Sequence, residues 1–529
     1  MSYHAQLMTA RLPALTLTMA MAMALIAVPV ADAAGQESGQ SMREFATPTE
    51  SAEPAQRDTQ SADYYSQMMD IFFQTYRFGD QFGRAADQTA NKSLVQSTAV
   101  VGPVFDVGLL PSGGSAPDVG GAVGKKHAIS LQNVGRATNL KSGILNSNSD
   151  HRTFWSSVVS ADPNYKPFDP RIVLDFASNR YLATALRGPG GGLGWAVLFG
   201  YSQDESGTNW QRFAFDIDPS CKWSYDYPRI AVSKNFVAIS VFVHGSTATP
   251  TPCQNWGERL IVLPRAGLYQ ATSLSPTVLV PPTPGQISPI GASASAMSGS
   301  DGRLYVTRML SNGTQYDVYR VTDQIPVPGS AISLEPVFSN RPLPAASASG
   351  TLVNQTLNDT RNPLCNALIS GTFHNNRLFI GHSVQTPLAS NPSQVLTSAA
   401  WAELDLATGL QVQGGVLPTN DTNAYLCPSL WANQNGVLIS FTMTNAGIYP
   451  SAGYAYRKAT DPLGQMSAAT IYSAGTAGYA TTNPNQIIRT GDYGTTMEDP
   501  ADVCKLWAVN QVGRPNLAAS AWARIDICQ

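Results

Sequence analysis

The sequence predicts an all-β fold, a β-propeller of six or seven blades, carried behind a signal peptide, a disordered leader and a short helix. Three observations lead there. From about Lys125 onward, short apolar runs alternate with turns rich in Gly, Asn, Asp and Pro. The runs come in pairs that share one design: a polar or proline start, an apolar strand, a turn and a second apolar strand. The prolines at those starts, Pro170, Pro228, Pro289, Pro363 and Pro428, are spaced by 58, 61, 74 and 65 residues. A period near 60 suits a four-stranded sheet with its loops, and about 400 residues hold six or seven of them. One such sheet cannot bury both faces, whereas radial stacking covers the faces and leaves only short edges.

The amino terminus comes first in chain order. His4 and Arg11 precede an apolar run from Leu12 to Val30, and Ala31-Asp32-Ala33 follows as the small-x-small pattern of a secretory cleavage site. Residues 1–33 are therefore expected to be removed on export to the periplasm or beyond the cell, and no later segment is apolar enough to span a bilayer. Residues 34–62, rich in Gln, Ser, Glu, Pro and Thr, read as a disordered leader. Tyr64, Met68, Ile71, Phe72 and Tyr76 recur at mainly helical spacing, with Ser61 placed to cap. Their aromatic face is expected to pack rather than bind. The passage VGLLPSGGSAPDVGGAVG completes residues 63–124 as a linker, and 125–529 is assigned to the propeller.

The hairpins then follow in order: DPRIVLDFASNRYLATAL, DYPRIAVSKNFVAISVFV, SPIGASASAMSGSDGRLYVTRML, RNPLCNALISGTFHNNRLFIGHSV, LCPSLWANQNGVLISFTM and a degenerate sixth copy, RTGDYGTTMEDPADVCKLWAVN. The six cysteines, Cys221, Cys253, Cys365, Cys427, Cys504 and Cys528, are even in number, as a disulfide framework in an exported chain requires. Pairing of sequence neighbours gives Cys221–Cys253, Cys365–Cys427 and Cys504–Cys528, one of the 15 connectivities that six cysteines allow. None has the C-x-x-C spacing of a zinc site.

Composition excludes some functions. Only 13% of the 529 residues are charged and the formal charge is -3, so no basic excess exists for a nucleic-acid surface. No G-x-S-x-G, HExxH or Walker loop occurs. The glycine run from Gly188 to Gly194 is not followed by a helix pattern and reads as a loop. The histidines lack metal spacing, and His374 and His382, on either side of RLFIG, read as structural or surface residues. No metal or other cofactor is expected. Acidic turns such as Asp499 and Asp502 suggest calcium only weakly, since no DxDxDG loop is present.

The strand starts carry the chemistry that remains. Asp169-Pro170-Arg171, Asp226-Tyr227-Pro228-Arg229, Arg361-Asn362-Pro363 and Arg489-Thr490-Gly491-Asp492-Tyr493 set an acid, an arginine or both at the head of an inner strand. Such heads converge on one mouth of a propeller's channel. Arg171, Arg229, Asp226, Tyr227, Arg489, Asp492 and Tyr493 are thus the candidate ligand-binding residues, arginine being suited to carboxylate or sulfate by its planar fork. The competing account is that these charges brace neighbouring blades.

The stretches NRYLATAL, WAVLFGYSQDESGTNWQRFAFDIDP, DYPRIAVS, DPLGQMSAATIYSAG, GDYGTTMEDPADVCKLWAVNQ and SAWARIDIC resemble a set of exported bacterial β-propeller proteins of sialidase-like architecture, over Ile129 to Cys528. In those relatives the last motif usually reads Trp-Gly-Asp-Tyr-Ser, then Asp-Pro, Asp-Cys and Phe-Trp, so Thr490, Gly494 and Leu506 mark a divergent member. Most of the relatives have no assigned activity. The segment from Ser202 to Trp210 is similar to an Asp-box turn with one residue inserted, which implies a structural role for Asp204. The expectation is a binding module for a glycan or protein partner at the channel mouth, with no catalytic set in view. The alternative is a carbohydrate-active enzyme, a glycosidase or polysaccharide lyase, acting on an acidic glycan.

Overall fold

The computed structural model describes residues 100–109, 118–159, 167–188, 194–217, 224–244, 257–282, 286–299, 302–309, 315–321, 332–342, 351–352, 370–420, 422–478, 491–515 and 517–528. All fall within the compact unit Ile71–Gln529. The expectations for residues 1–99, including the signal segment and the aromatic helix, lie outside the described residues.

The fold is a β-propeller. Among the described residues the strands form seven four-stranded antiparallel units, which we number as blades in chain order. Their innermost strands are Gly120–Val123, Phe168–Asp175, Ser224–Val232, Gln286–Ala292, Ser370–His374, Ala424–Asn433 and Thr495–Glu498. Each contacts the next, and the last returns to the first, so the ring is closed. Blades 4 and 5 join into one sheet through parallel pairing of Gly291 with Thr372 and Ala292 with Phe373.

Every hairpin expected from the alternating pattern is present. The blade 3 pair, for example, is Ser224–Val232 with Phe236–His244. The apolar residues of these strands form the inter-blade core, as with Phe236 and Ala238, which are buried in one cluster with Ile287, Leu304 and Val306 of blade 4. Between the two blade 4 strands a short helix, Ala294–Ser298, replaces the expected plain turn, because Ser293 caps it by accepting from the Ala296 N–H.

The amino-terminal boundary of the propeller needs correcting. The glycine-rich passage expected as a linker contains Gly120–Val123, the innermost strand of blade 1, and Val100–Leu109 is a strand too. That strand pairs with Leu517–Asp526, so blade 7 takes three strands from the carboxyl end and one from the amino end. Glycines hid the blade 1 strand for a packing reason. A Cβ at Gly120 would lie 3.0 Å from the Pro170 carbonyl oxygen, and one at Gly121 would lie 2.9 Å from Trp522. Neighbouring blades come too close there for a side chain.

The Cys504–Cys528 disulfide forms beside this closure. Cys427 is also disulfide-bonded, and its partner lies outside the described residues, as do Cys221, Cys253 and Cys365.

Candidate functional site

Three of the five strand-start prolines, Pro170, Pro228 and Pro428, share a structural cause, whereas Pro289 pairs with Val306 in an uninterrupted ladder and Pro363 lies outside the described residues. In blades 2, 3 and 6 the inner ladder is interrupted between Phe168 and Arg171, Asp226 and Arg229, and Leu426 and Ser429. At each interruption a residue with positive φ precedes the proline: Asp169 (φ 51), Tyr227 (φ 50) and Cys427 (φ 50). A proline has no N–H to give a ladder, so a bulge is where an inner strand accommodates it. The left-handed conformation costs a non-glycine residue about 1–2 kcal/mol, least for Asp. The residue after each proline, Arg171, Arg229 or Ser429, lines the central channel.

That channel holds a cavity of about 130 Å³ lined by residues from all seven blades. At the mouth, where the inner strands begin, Arg171 reaches across two blade boundaries. Its Nη1 donates to the Val119 carbonyl at 2.8 Å, its Nη2 to the Gly494 carbonyl at 3.3 Å, and its guanidinium lies 4.6 Å above the Tyr493 ring. Burial lowers its pKa, Tyr493 opposes this, and the nearby Arg229 adds to it. Tyr493 donates to Asp169 at 3.2 Å and packs 6.3 Å from the Tyr227 ring. Burial, then the charges of Asp169, Asp226 and Asp492, push the Tyr493 hydroxyl well above the ordinary tyrosine range.

A second set of bonds stitches three blades together. The Asp492 N–H donates to Asp118 at 2.7 Å, Asn133 donates to the other Asp118 oxygen at 2.5 Å, and the Asp169 N–H donates back to Asn133 at 2.7 Å. Sequence reasoning missed Asp118 and Asn133. The signal was present, since DVGGAV repeats the Asp-headed start of DPRIVL with Val119 in place of the proline and a glycine pair in place of Arg171-Ile172.

Arg229 bonds the Ile287 carbonyl of blade 4 and lies 3.7 Å from Glu258. Asp226 accepts the Tyr227 N–H at 2.9 Å. The structure therefore brings Arg171, Asp226, Tyr227, Arg229, Asp492 and Tyr493 to one mouth, while Arg489 and the Arg361-Asn362-Pro363 start lie outside the described residues. Glu258 was also missed. Its run, GERLIVLP, carries no feature beyond an ordinary third strand. Burial raises this carboxyl to about 7, against the pull of Arg229.

The other end of the channel is built differently. Phe176 of blade 2 and Trp431 of blade 6 meet across the axis with ring centroids 6.0 Å apart. Glu498 of blade 7, fully buried, accepts from the Trp431 indole at 3.4 Å, from Asn433 at 3.2 Å and from the Ala294 N–H at 3.1 Å.

The remaining expectations resolve by contact. Asp204 accepts from Ser206, Thr208 and Asn209 while Trp210 is buried, which is a turn-stabilising role. Asp499, offered for calcium, instead holds Lys141 at 2.7 Å and the Trp507 indole at 2.9 Å, and Asp502 pairs with Lys505. Among the described residues no group of His, Cys, Asp and Glu is arranged to hold a metal ion. His374 bonds Ser295 at 2.9 Å, and His382 is fully buried.

A closed ring of four-stranded blades with a charged channel mouth defines the class, a β-propeller. No protein-family model and no curated protein sequence matches the chain. Solved structures that it resembles include a Trypanosoma rangeli sialidase in complex with sialic acid, at 11% identity and a TM-score of 0.38, covering 80% of this chain and 58% of that one. The chain thus spans less than two thirds of that sialidase's length. An alpha-L-arabinofuranosidase from Fusarium graminearum gives 12% identity and a TM-score of 0.37, over 67% of this chain and 91% of that one. The hemagglutinin-neuraminidase ectodomain of parainfluenza virus 5 gives 9% and 0.35, over 89% and 96%. Likeness at this level transfers no chemistry.

Among the described residues no helix is long and apolar enough to cross a membrane.

Proposed function

We propose that the protein is an exported glycan-binding propeller whose ligand seats on the channel mouth at Arg171, Asp226, Tyr227, Arg229, Asp492 and Tyr493. The observation that carries this reading is the convergence of bulged strand starts from blades 2 and 3 with the start of blade 7 on one polar mouth above the cavity. Convergent charged and aromatic groups at the meeting point of several blades are what orient a polyhydroxylated ligand. At about 130 Å³ the cavity is smaller than the roughly 300–1,000 Å³ of pockets that enclose drug-sized ligands. A glycan would therefore lie across the mouth instead of threading the channel. Export is supported by the Cys504–Cys528 disulfide, a bond that persists in oxidising compartments.

Tyr493, whose hydroxyl donates to Asp169, would form a hydrogen-bonded aromatic wall of that mouth. Screening the purified protein on an array of neutral, amino and acidic glycans, with calorimetry on the best ligand, tests the reading. Retention that Asp226→Asn weakens about tenfold, with unchanged thermal unfolding, is the expected result. Capture of no glycan across the panel would sink it, and release of reducing ends or unsaturated products would replace it with a glycosidase or lyase.

A further inference from the structure

On the outer part of the boundary between blades 1 and 2, two arginines flank one aromatic ring. Arg136 and Thr138 lie on the strand Gly135–Leu140, and their cross-strand partners on Leu145–Asp150 are Ser149 and Ser147. Opposed residues share a face of the sheet, and this face is turned to blade 2, since Arg136 donates Nη1 to the Gly207 carbonyl at 3.0 Å. Arg212 comes from the outer strand of blade 2, Trp210–Phe215. The two guanidiniums lie 5.4 and 5.0 Å from the centroid of the Phe154 ring.

Arg136 is 8% exposed and Arg212 half-buried, and among the described residues neither forms an ion pair. Asp204 acts on Arg136 only from a distance, its carboxylate being held by Ser206, Thr208 and Asn209. Like charges half-buried together repel, and Arg136 lowers the pKa of Arg212 beyond what burial does. Four donors here have no acceptor. Arg136 Nε, Arg212 Nε, Thr138 Oγ1 and Ser149 Oγ are shut from solvent and have no hydrogen-bond partner among the described residues. A group that is negative, carries no proton and offers lone pairs in several directions answers both the charge and the donors, and an oxyanion is such a group.

We propose that the outer boundary of blades 1 and 2 binds one oxyanion of the phosphate or sulfate class, with Arg136 and Arg212 supplying charge and Thr138, Ser147 and Ser149 supplying hydroxyl donors. Ser147 Oγ already accepts from Arg136 Nη2 at 3.3 Å and so keeps its own proton for the anion. The approach is from outside the ring, where Arg212, Ser147 and Ser149 are half-exposed. Arg136, almost fully covered, forms the fixed wall of the site, because Gly207 and Ser147 hold its two Nη groups. The site lies on outer strands, apart from the channel mouth, and is independent of the ligand that the mouth takes.

The test is NMR of the arginine Nε–H groups in the whole chain, titrated with inorganic phosphate or sulfate while chloride holds the ionic strength constant. The signals absent from Arg136→Lys and Arg212→Lys are those of the two arginines. Both are expected to shift together and to saturate at one anion concentration. Arg212→Gln is expected to weaken the binding about tenfold, the loss of one charge-assisted hydrogen bond, while Asp226→Asn at the mouth leaves it unchanged. Glucose 6-phosphate and glucose 6-sulfate separate the sources: tighter binding than the free ions assigns the oxyanion to a sugar, and equal or weaker binding assigns it to the free ion. Shifts that grow without saturating overturn the proposal, as does equal affinity in Arg212→Gln. If Arg212→Gln does not fold, Ser149→Ala takes its place with an expected loss of about fivefold, and unchanged affinity there overturns the proposal equally.

Discussion

The two ends of the channel each bury a glutamate in opposite circumstances. At the far end both oxygens of Glu498 accept hydrogen bonds, from Trp431, Asn433 and the Ala294 backbone, and the carboxyl joins blades 4, 6 and 7. Near the mouth Glu258 faces Arg229 at 3.7 Å, a cation that also bonds a carbonyl of the next blade. Burial raises the pKa of both. The difference shows where the ring is fastened and where it retains freedom. A buried carboxyl that meets three donors fixes its neighbours, whereas one that rests mainly on a shared cation responds to protons.

Breaking the far end should bring the largest loss of stability on substitution. Glu498→Ala removes the acceptor of the half-buried Trp431 indole and Ala294 N–H and one of the two acceptors of Asn433, so denaturant unfolding should show a loss of about 2 kcal/mol. A loss below about 1 kcal/mol would mean that Glu498 is not a fastening point.

The mouth should instead respond to pH. The Glu258 pKa is raised from 4.5 to about 7 on folding, so its contribution to stability is full below about 4.5 and is lost as pH rises through 7. The difference amounts to about 3 kcal/mol. Glu258→Gln should therefore match the wild type near pH 4.5 and exceed it in stability at pH 8. Parallel stability curves for the two proteins would show that Glu258 ionises without penalty.

His382 supplies the opposite limb. Burial lowers its pKa from 6.5 to about 4 against the pull of its bond to the Ser383 carbonyl. Stability from this group is full above 6.5 and falls as pH drops toward 4, again by about 3 kcal/mol. His382→Gln should flatten that acid limb in thermal unfolding, after allowing for a constant cost of the substitution. The same slope in both proteins would exclude His382 as its source.

Asp204, in an outer turn of blade 2, serves as the control for both ends. Burial tends to raise its carboxyl, but the bonds from Ser206, Thr208 and Asn209 hold it below the ordinary value. Asp204→Ala should cost about 1 kcal/mol and leave the pH profile of the mouth unchanged. A change in that profile would show that the turn is coupled to the mouth.

The fold was legible because its signal is local and repeated. Each hairpin carries its own turn residues and apolar alternation, and Pro170, Pro228 and Pro428 fall where the inner strands bulge. Blade 1 was not, since Gly120 and Gly121 are dictated by the approach of Pro170 and Trp522 from neighbouring blades, which sequence neighbours do not reveal. At the site, the sequence pointed to Arg171, Asp226, Tyr227, Arg229, Asp492 and Tyr493 through their repeated positions. Their partners were hidden, because a backbone carbonyl such as Ile287 or Gly494 has no signature in residue type.

By itself, then, the sequence determined the period, the hairpins and the residues heading the inner strands, all properties of segments shorter than one blade. The tertiary structure decided that the amino-terminal strand Val100–Leu109 completes the last blade. It also decided that Arg171 ties blades 1, 2 and 7, and that of two buried glutamates Glu498 meets three donors while Glu258 meets Arg229. Closure and burial are set by residues up to hundreds of positions apart. Their energies come from which blades meet, and no single segment records that.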